Sequence, residues 1–469
     1  MSLDNNQTNN QMPWEKNTKG ETCIAILDVG KTNKKLMLFD EQYNMIYESS
    51  AKLDETTDED GFACEDVTAL TQWIKESVEQ ILLNNAFDIK AINFSGYGAS
   101  LVHLDEQLNC CTPLYNYIKP YTKETHDKFY STYGNEEDVA VETASPVLGN
   151  LNSGMQLYRL KQEQPQVFEK IKYALHLPQY CSFVITKKCC SDITSIGCHT
   201  MLWDFKKKHY HEWIYKEGID KKLAPICKSD DVIDIALYDK NLIAGIGLHD
   251  SSSALIPYLS TYDEPFVLIS TGTWNISLNP FNKAPLTKDE LRQDCLCYLT
   301  HEGKPVKASR LFAGYEHEQA VKKLCSHFNK QLNYHASLQY NDELVLQLKE
   351  RKESFDESNP DSYNNFEEAY HHLIMHIVEQ QIAATNLVLE GSSVKKIFAD
   401  GGFSRNNIFM QLLANTMSEY EVYAASVPQA SAIGAALVIH HQWNKNPLPK
   451  HLVHLKKYSP HTLDISTNS

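Results

Sequence analysis

The chain has 469 residues, of which 42% are hydrophobic and 22% are charged, a composition typical of a folded globular protein with two or three domains. Its 44 lysines and arginines are outnumbered by 60 aspartates and glutamates, and the formal charge of −16 disfavours nucleic acid and anionic membranes as main partners. Residues 1–20 are polar and lack the apolar centre of a signal peptide, so we expect a disordered N-terminal segment on a cytoplasmic protein.

The first half of the chain has the pattern of a mixed sheet with helices packed on it. Apolar runs at residues 23–27 and 36–39, and a third from residue 45, are separated by short turns and predict three consecutive strands. Apolar residues at helical spacing predict a helix over residues 67–84, and the apolar run 89–94 predicts a further strand. This order of strands and helix indicates an α/β domain.

The second half of the chain repeats that order. Residues 266–270 and 274–278 predict two strands joined by a turn, and a stripe of apolar residues predicts a long helix over 366–389. Further predicted elements are strands at 397–399 and 421–423 and helices at 407–417 and 430–440. We therefore expect two α/β domains, at residues 21–258 and 259–445, and a C-terminal tail at residues 446–469.

The twelve cysteines include no CxxC pair, and the chain has no secretory features, so we expect reduced thiols. A zinc site built from Cys189, Cys190, Cys198 and His199 is disfavoured, because ligands that are adjacent in sequence fit tetrahedral coordination poorly.

Two predicted turns have the residue types of a phosphate-binding hairpin. Asp28 ends the first predicted strand, and small or polar residues follow it in the turn: Gly30, Lys31, Thr32 and Asn33. This turn is not a P-loop, because Ala25 stands where that motif needs glycine and a strand follows the turn. The second turn is Thr271, Gly272 and Thr273. Either turn alone is equally compatible with an ordinary hairpin, but the pair favours a nucleotide polyphosphate site.

A third motif is the sequence Asp400-Gly401-Gly402 before a predicted helix that follows Asn406. Missing side chains at the two glycines would let a nucleoside lie against the backbone, with the start of a helix behind it. The alternative is an ordinary tight loop between a strand and a helix.

In this order the three motifs resemble those of the FGGY carbohydrate kinases, and the resemblance covers about residues 22–445. Residues 95–98 (SGYG) resemble the family's sugar-side loop, and residues 247–254 (GLHDSSSA) resemble its catalytic segment. Residues 192–194 and 202–204 resemble a further segment of the family's first domain. The HD sequence, followed later by a GTW turn, is most similar to the L-fuculokinase and L-rhamnulokinase branch.

The resemblance implies two actin-like, ribonuclease H-like α/β domains with a nucleotide and sugar cleft between them. It also implies transfer of the γ-phosphate of Mg-ATP to a ketose, with a 6-deoxy-ketohexose such as L-fuculose or L-rhamnulose as the expected substrate. A kinase for xylulose, ribulose, gluconate or glycerol is the nearest alternative, and a phosphohydrolase or a non-catalytic ATP-binding protein is less favoured. The resemblance also allows a homodimer, because homodimers are common in the family.

The resemblance assigns residue roles as well. Asp250 would accept the proton of the sugar hydroxyl, with a helix cap as its structural alternative, and Asp28 would hold Mg²⁺ through water. The phosphates would be bound by Gly30, Lys31, Thr32, Asn33, Thr271, Gly272 and Thr273, and the adenosine would be bordered by Gly401, Gly402 and Asn406. The sugar would contact Tyr97, Gly98, His249 and Asp250. Lys31, in place of a small residue, would add a positive charge beside the phosphates.

Overall fold

The structure is a computed structural model that describes residues 20–351, 354–356, 358–450 and 452–461. Contacts divide the chain into two units. The first unit comprises the chain up to Thr261 together with Cys297–Pro305 and Pro428–Leu452, and the second comprises Tyr262–Leu296, Val306–Val427 and the chain from Val453. Except for Gly20, the N-terminal segment predicted to be disordered lies outside the described residues.

The elements of the chain up to Thr261 begin with a strand meander and end in a helix. The strands are β1 (Glu21–Val29), β2 (Lys34–Asp40), β3 (Met45–Ala51), β4 (Glu55–Thr57), β5 (Ala63–Glu65), β6 (Phe87–Gly96), β7 (Leu101–Leu104), β8 (Tyr173–His176), β9 (Ser191–Asp192), β10 (Trp203–Asp204), β11 (His209–Tyr210), β12 (Ile226–Cys227), β13 (Val232–Leu237), β14 (Lys240–Gly245) and β15 (Leu248–His249). The helices are α1 (Val67–Leu83), α2 (Lys123–Tyr133), α3 (Glu136–Thr143), α4 (Ser153–Glu163), α5 (Pro165–Lys170), α6 (Leu177–Thr186), α7 (Ile193–Ile196), α8 (Glu212–Lys216) and α9 (Asp250–Thr261).

The remaining elements follow in the order of a second, similar sheet. The strands are β16 (Phe266–Thr271), β17 (Asn275–Asn279), β18 (Cys295–Leu299), β19 (Pro305–Leu311), β20 (Lys396–Gly401), β21 (Glu421–Ser426) and β22 (His454–Tyr458). The helices are α10 (Lys288–Arg292), α11 (Ala313–His327), α12 (Asp342–Arg351), α13 (Phe366–Leu389), α14 (Asn407–Thr416), α15 (Ala430–Val438) and α16 (His440–Trp443). Short 3₁₀ helices lie at Gly149–Leu151, Ile219–Lys222, Tyr334–Ser337, Pro360–Ser362 and Phe403–Arg405.

The sheet of the first unit has the strand order β13–β14–β6–β1–β2–β3, with β15 also beside β6. Strands β1, β2 and β3 are antiparallel neighbours, whereas β6 runs parallel to β1 and β14 runs parallel to β6. Residues 23–27 of β1 are all buried, as expected for a central strand that is covered on both faces. The predicted meander, the helix at α1 and the strand at β6 are thereby confirmed.

The second large sheet repeats this arrangement in the order β18–β19–β17–β16–β20–β21–β22. Strand β17 is antiparallel to β16 and β19, while β20 and β21 continue in parallel on the other side of β16. Strand β22 pairs antiparallel with β21, so part of the predicted C-terminal tail is a strand of this sheet. The predicted long helix is confirmed as α13, and Asn365 begins it by accepting the Glu368 N–H (2.9 Å).

One predicted helix belongs to a different unit from the one expected. The sequence placed the helix at residues 430–440 in the second domain, but α15 lies in Pro428–Leu452, which is part of the first unit. The sequence order of the elements gave no sign of this return of the chain. Within the described residues, no helix is both long enough and apolar enough to cross a membrane.

Helices α9 and α15 cross in direct backbone contact at Gly434. A Cβ atom on Gly434 would lie 1.9 Å from the Ser253 carbonyl oxygen, which no real Cβ atom tolerates. At the same crossing, the Ser253 hydroxyl donates to the Ser431 carbonyl oxygen (2.7 Å). A second buried bond joins α15 to the sheet, because the Asn93 amide on β6 donates to the Ala435 carbonyl oxygen (2.7 Å).

We predict that Gly434→Ala lowers stability, because the added methyl group forces the two helices apart. Overpacking of this kind costs about 1–3 kcal/mol, whereas helix propensity alone would make alanine more favourable than glycine by about 1 kcal/mol. Thermal unfolding of the intact chain measures the effect. Gly402→Ala is the control, since its φ is −62° and the nearest atom to an added Cβ is 4.0 Å away. An equal or higher midpoint for Gly434→Ala than for the unsubstituted chain would contradict the close crossing.

Candidate active site

The turn between β1 and β2 is organised by a buried lysine. Gly30 N–H donates to the Asn33 carbonyl oxygen (3.0 Å), which closes the turn. The Lys34 ammonium, 2% exposed, donates to the carbonyl oxygens of Gly30 (3.0 Å) and Lys31 (3.1 Å). Lys34 therefore holds two carbonyl oxygens of the turn on the protein side, while Thr32 and Asn33 are exposed to solvent.

Glu65 on β5 ties this turn to the sugar-side loop predicted at residues 95–98. Its carboxylate lies 3.0 Å from the Lys34 Nζ and 3.1 Å from the Lys31 Nζ, and it accepts the Tyr97 hydroxyl (2.7 Å). A carboxylate that is 8% exposed would be costly to bury alone, but two ammonium groups and a phenol compensate its charge. Lys31, which the sequence placed beside the phosphates, thus points at Glu65.

Two tyrosine rings face the Lys31 ammonium. The Nζ atom lies 5.8 Å from the ring centroid of Tyr97 and 5.7 Å from that of Tyr117, and the two ring centroids are 6.2 Å apart. Burial raises the pKa of the Tyr117 phenol; the charge of Lys31 opposes this shift, and the charges of Glu65 and Asp250 add to it. Tyr97, Tyr117 and Lys31 therefore form an aromatic and cationic surface within electrostatic reach of Asp250.

Asp28 and Asp250 lie at the same end of the first sheet. Strands β1 and β15 both run parallel to β6, where Asp28 is opposite Ser95 and His249 is opposite Gly96. Residues at the carboxyl ends of parallel strands meet at one edge of the sheet, which is where open α/β sheets bind ligands. The two aspartates thus lie where parallel strands of one unit end.

Asp28 is held from α15. Its Oδ2 atom accepts the Ser431 hydroxyl (2.9 Å), so the helix that returns to the first unit orients this carboxylate. Burial raises the pKa of Asp28 to about 6, and the negative charge of Asp250 adds to the shift. Lys35, opposite Asp28 on β2, partly opposes it and pairs with Glu48 (2.9 Å).

Asp250 is the first residue of α9 and remains partly open to solvent. Its side chain is 34% exposed, and Oδ1 accepts the Ser251 N–H (2.5 Å) and hydroxyl (3.1 Å). Burial raises the pKa of Asp250 to about 6, although the bonds from Ser251 favour the charged form. Asp250 therefore combines a local bond at the helix start, as in the capping alternative, with an accessible carboxylate that is ionised at neutral pH.

His249 is buried, and both of its ring nitrogens have protein partners. Nε2 lies 3.1 Å from the Cys198 Sγ and 3.3 Å from the Asp250 Oδ1, and Nδ1 lies 3.2 Å from the Ser252 hydroxyl. Burial lowers the pKa of His249 to about 4, so the ring is neutral at pH 7. Gly98 permits this packing, since a Cβ there would lie 2.9 Å from the Cys198 Sγ and 3.1 Å from the ring. These contacts fix the imidazole beside Asp250.

In the second unit, the predicted phosphate turn follows β16 and contacts the glycine loop after β20. Gly402 N–H donates to the Thr271 carbonyl oxygen (3.0 Å), and Phe403 N–H donates to the Thr271 hydroxyl (2.9 Å). That hydroxyl also donates to the Asp400 carbonyl oxygen (2.5 Å). The Thr271 side chain thus joins the two loops, whereas Gly272 and Thr273 are exposed.

Two glycines permit these loops to approach one another. Gly401 has φ +93°, and a Cβ atom there would lie 1.9 Å from the Thr271 carbonyl oxygen. Gly314, which the sequence analysis did not single out, approaches as closely from α11, where a Cβ atom would lie 1.8 Å from the Gly272 carbonyl oxygen. Asn406, expected near adenosine, caps α14 by accepting the Phe409 N–H (3.1 Å) and donates to the Tyr370 hydroxyl (2.8 Å).

The structure therefore brings the predicted residues together as two sets. The first unit holds Asp28, Gly30, Lys31, Thr32, Asn33, Tyr97, Gly98, His249 and Asp250, and the second holds Thr271, Gly272, Thr273, Gly401, Gly402 and Asn406. The sequence analysis missed Lys34, Glu65, Tyr117, Cys198 and Ser431. Lys34 could have been predicted, because a lysine at the start of an apolar strand is unusual. The other four residues lie far along the chain from their partners, so the sequence gives no local pattern for them.

Comparisons with known proteins match both halves of the chain to one family. Residues 23–251 match the model of the N-terminal domain of the FGGY family of carbohydrate kinases, and residues 263–447 match that of the carbohydrate kinase FGGY C-terminal domain. The chain is 24% identical over 261 residues to a rhamnulokinase from Halalkalibacterium halodurans, which covers 53% of this chain and about half (52%) of that protein. It is 21% identical over 415 residues to a rhamnulokinase from Oceanobacillus iheyensis, covering 81% of this chain and 84% of that protein.

Solved structures have the same fold. A carbohydrate kinase from Novosphingobium aromaticivorans superposes with a TM-score of 0.75 and 22% identity, covering 94% of this chain and 98% of that one. A xylulose kinase from Lactobacillus acidophilus also gives a TM-score of 0.75, with 16% identity and 94% coverage of both chains. Together with the two mixed sheets, these likenesses show the two-domain actin-like, ribonuclease H-like fold.

We predict that Asp250→Asn stabilises the folded chain at high pH. The pKa of the Asp250 carboxyl rises from 3.8 in the unfolded chain to about 6 in the folded chain. The folded chain therefore becomes less stable as pH increases through this interval, and an asparagine at this position removes that loss. The thermal midpoint of Asp250→Asn should therefore exceed that of the unsubstituted chain at pH 8, with the difference shrinking towards pH 4. A midpoint difference that is the same at pH 4 and pH 8 would show that the Asp250 pKa is not raised by folding.

Proposed function

Because the chain belongs to the FGGY family of carbohydrate kinases, which are ATP-dependent phosphotransferases, we propose that it phosphorylates a sugar hydroxyl at the expense of Mg-ATP. The proposed substrate is a 6-deoxy-ketohexose such as L-fuculose or L-rhamnulose. The observation that carries the proposal is Asp250, a partly exposed carboxylate with a pKa of about 6 at the carboxyl end of parallel strands. A base with this pKa is ionised at neutral pH and can accept the proton of an attacking hydroxyl.

Phosphoryl transfer asks mainly for positioning and for neutralisation of charge, with one group to orient the attacking hydroxyl. We assign that last role to Asp250. His249 is assigned as a residue that positions Asp250, since its ring is fixed by Cys198 and Ser252. The hydroxyl proton moves to the Asp250 carboxylate as the sugar oxygen attacks the γ-phosphorus. The bond between the γ-phosphorus and the oxygen that bridges it to the β-phosphate breaks, and ADP leaves.

The exposed parts of three loops are assigned to the nucleotide. Thr32 and Asn33, the exposed residues of the first turn, would face the phosphates. Gly30 and Lys31 are assigned to shaping that turn, since the Gly30 N–H bonds to Asn33 and both carbonyl oxygens accept from Lys34. In the second unit, the exposed residues Gly272 and Thr273 are assigned to phosphates, and Gly401 and Gly402 to adenosine. The side chains of Thr271 and Asn406 already bond within the protein, so we assign them to shaping these loops.

The donor set also fits a magnesium ion. Asp28 offers a hard carboxylate oxygen, and Mg²⁺ in kinases uses one or two carboxylates with phosphates and retained waters. Within the described residues, no group of three or more histidine, cysteine or acidic side chains is placed to hold a metal. Mg²⁺ bound with ATP at Asp28 would neutralise phosphate charge.

The surface formed by Lys31, Tyr97 and Tyr117 supports the sugar class. Tyr97 is buried and its hydroxyl is committed to Glu65, so the partly exposed ring of Tyr117 is the aromatic part of this surface that we assign to a ligand. Aromatic faces favour apolar C–H groups, and the C6 methyl group distinguishes a 6-deoxy sugar from its hydroxylated counterpart. The likeness to two rhamnulokinases points to the same class, and the likeness in fold to a xylulose kinase keeps xylulose as the second candidate.

The direct test is ADP release from Mg-ATP with L-rhamnulose, L-fuculose, D-xylulose, D-ribulose, gluconate and glycerol. We predict the highest kcat/KM with a 6-deoxy-ketohexose, and a loss of kcat of about 10²–10⁴-fold in Asp250→Asn. Asp263→Asn, at an exposed aspartate before β16, is the matched control and should keep full activity.

Other outcomes of this assay separate the alternatives. Stronger turnover with D-xylulose, gluconate or glycerol would contradict the proposed substrate class but would still support a sugar or polyol kinase. ADP release that is independent of any sugar would indicate a phosphohydrolase. Binding of ATP without turnover on the whole panel would indicate a non-catalytic ATP-binding protein.

A further inference from the structure

Two cysteine sulfur atoms meet where β9 and β12 run side by side in the first unit. The strands are parallel, with Ile226 opposite Ser191 and Cys227 opposite Asp192. Cys190 directly precedes β9, and the Cys227 thiol donates to the Cys190 sulfur at a distance of 2.9 Å between the sulfur atoms. Bonded sulfur atoms lie about 2.05 Å apart, so a movement of about 1 Å separates this thiol pair from a disulfide.

The two thiols differ in access. Cys190 is 3% exposed, whereas Cys227 is partly exposed and lines a cavity of about 680 Å³. Lys228, His301 and His441 line the same cavity, which is wide enough for a small oxidant. Burial raises the pKa of the Cys190 thiol to about 12, so this thiol stays protonated. A reagent that enters the cavity therefore meets Cys227 first, with Cys190 directly behind it.

The same two segments carry a hydrogen-bond chain to the proposed catalytic residue. Asp192 follows Cys190 by two residues and accepts the hydroxyl of Ser229 (2.5 Å), which follows Cys227 by two residues. Asp192 also accepts the N–H (2.9 Å) and hydroxyl of Thr194, and the Thr194 hydroxyl oxygen accepts the His249 N–H (3.0 Å). These bonds connect both cysteine segments to the backbone next to Asp250.

We propose that Cys190 and Cys227 are a site of reversible disulfide formation, with a hydroperoxide as the oxidant, and that the disulfide lowers turnover by shifting Asp192. With hydrogen peroxide, the Cys227 sulfur bonds to one peroxide oxygen, the O–O bond breaks and water leaves. The Cys190 sulfur then bonds to the Cys227 sulfur, the S–O bond breaks, and a second water leaves with the Cys190 proton. Two thiols lose two electrons and two protons in total, and a dithiol reductant reverses the reaction.

The chemical test is peptide mapping of the intact chain after treatment with hydrogen peroxide. Free thiols are alkylated, the protein is digested with trypsin without reductant, and cross-linked peptides are identified by mass spectrometry. We expect a peptide containing Cys190 bonded to the peptide containing Cys227, lost on treatment with dithiothreitol. Recovery of both peptides as separately alkylated thiols after oxidation would overturn the proposal.

The tryptic peptide with Cys190 also contains Cys189 and Cys198, so the mass of the cross-linked peptides does not identify the bonded cysteine. Cysteine-to-serine variants identify it. Cys190→Ser and Cys227→Ser should abolish this cross-link, and Cys189→Ser, the matched control, should keep it. A cross-link that survives Cys190→Ser would show that another cysteine is the partner and would overturn the pairing.

The effect on the site has a readout that does not require activity. Hydrogen exchange should be faster at the amides of Thr194 and His249 in the oxidised chain than in the reduced chain. The effect on turnover rests on the proposed function: kcat should fall about tenfold or more on oxidation, since a shift of about 1 Å near reacting groups can cost about 100-fold. Oxidised Cys227→Ser should keep its kcat.

A disulfide with unchanged exchange at both amides and unchanged kcat would overturn the regulatory part of the proposal. If no sugar supports turnover even in the reduced chain, the proposed function fails, while the cross-link and the exchange rates still decide this inference.

Discussion

The close crossing of α9 and α15 at Gly434 is the constraint on which the first unit's site depends. Because glycine leaves no Cβ atom, the two helices approach until the Ser253 carbonyl oxygen meets the α15 backbone. Each helix then brings one group to the end of the sheet. Helix α9 begins with Asp250, and α15 places the Ser431 hydroxyl on Asp28. The two carboxylates are therefore set by one helix contact.

The carboxylates at this site are stabilised to different degrees by the groups around them. Glu65 pairs with two ammonium groups and accepts a phenol hydroxyl, so it serves as an anchor for the turn after β1 and for Tyr97. Asp28 and Asp250 are compensated only in part, and burial raises the pKa of each to about 6. Carboxylates with raised pKa values cost stability but are suited to accepting protons and binding cations near neutral pH. The paired carboxylate of Glu65 therefore has a structural role, whereas those of Asp28 and Asp250 have the pKa values that the proposed reaction needs.

Much of the fold and part of the site could be predicted from sequence, because their signals are local. Asp28 with its turn, the Thr271 turn and Asp400-Gly401-Gly402 each occupy a few consecutive residues between apolar runs. The remaining contacts join residues far apart, such as Glu65 with Lys34 or Ser431 with Asp28, and no spacing in the sequence encodes them. The unit in which the helix at 430–440 packs is likewise decided by distant contacts, with α9 and β6. Lys31 was assigned from its position in the turn, but its ammonium group lies with Glu65 and the tyrosines.

In the proposed reaction Asp250 accepts the proton, and burial at the end of the sheet sets its pKa. The most direct test is the pH dependence of kcat/KM for the sugar, at saturating Mg-ATP, between pH 5 and pH 9. With a pKa of about 6, the base is charged above this value, so kcat/KM should be constant at high pH and fall tenfold per unit well below pH 6. The residual activity of Asp250→Asn should lack this dependence. A plateau that extends to pH 5, or the same acidic limb in Asp250→Asn, would contradict the account.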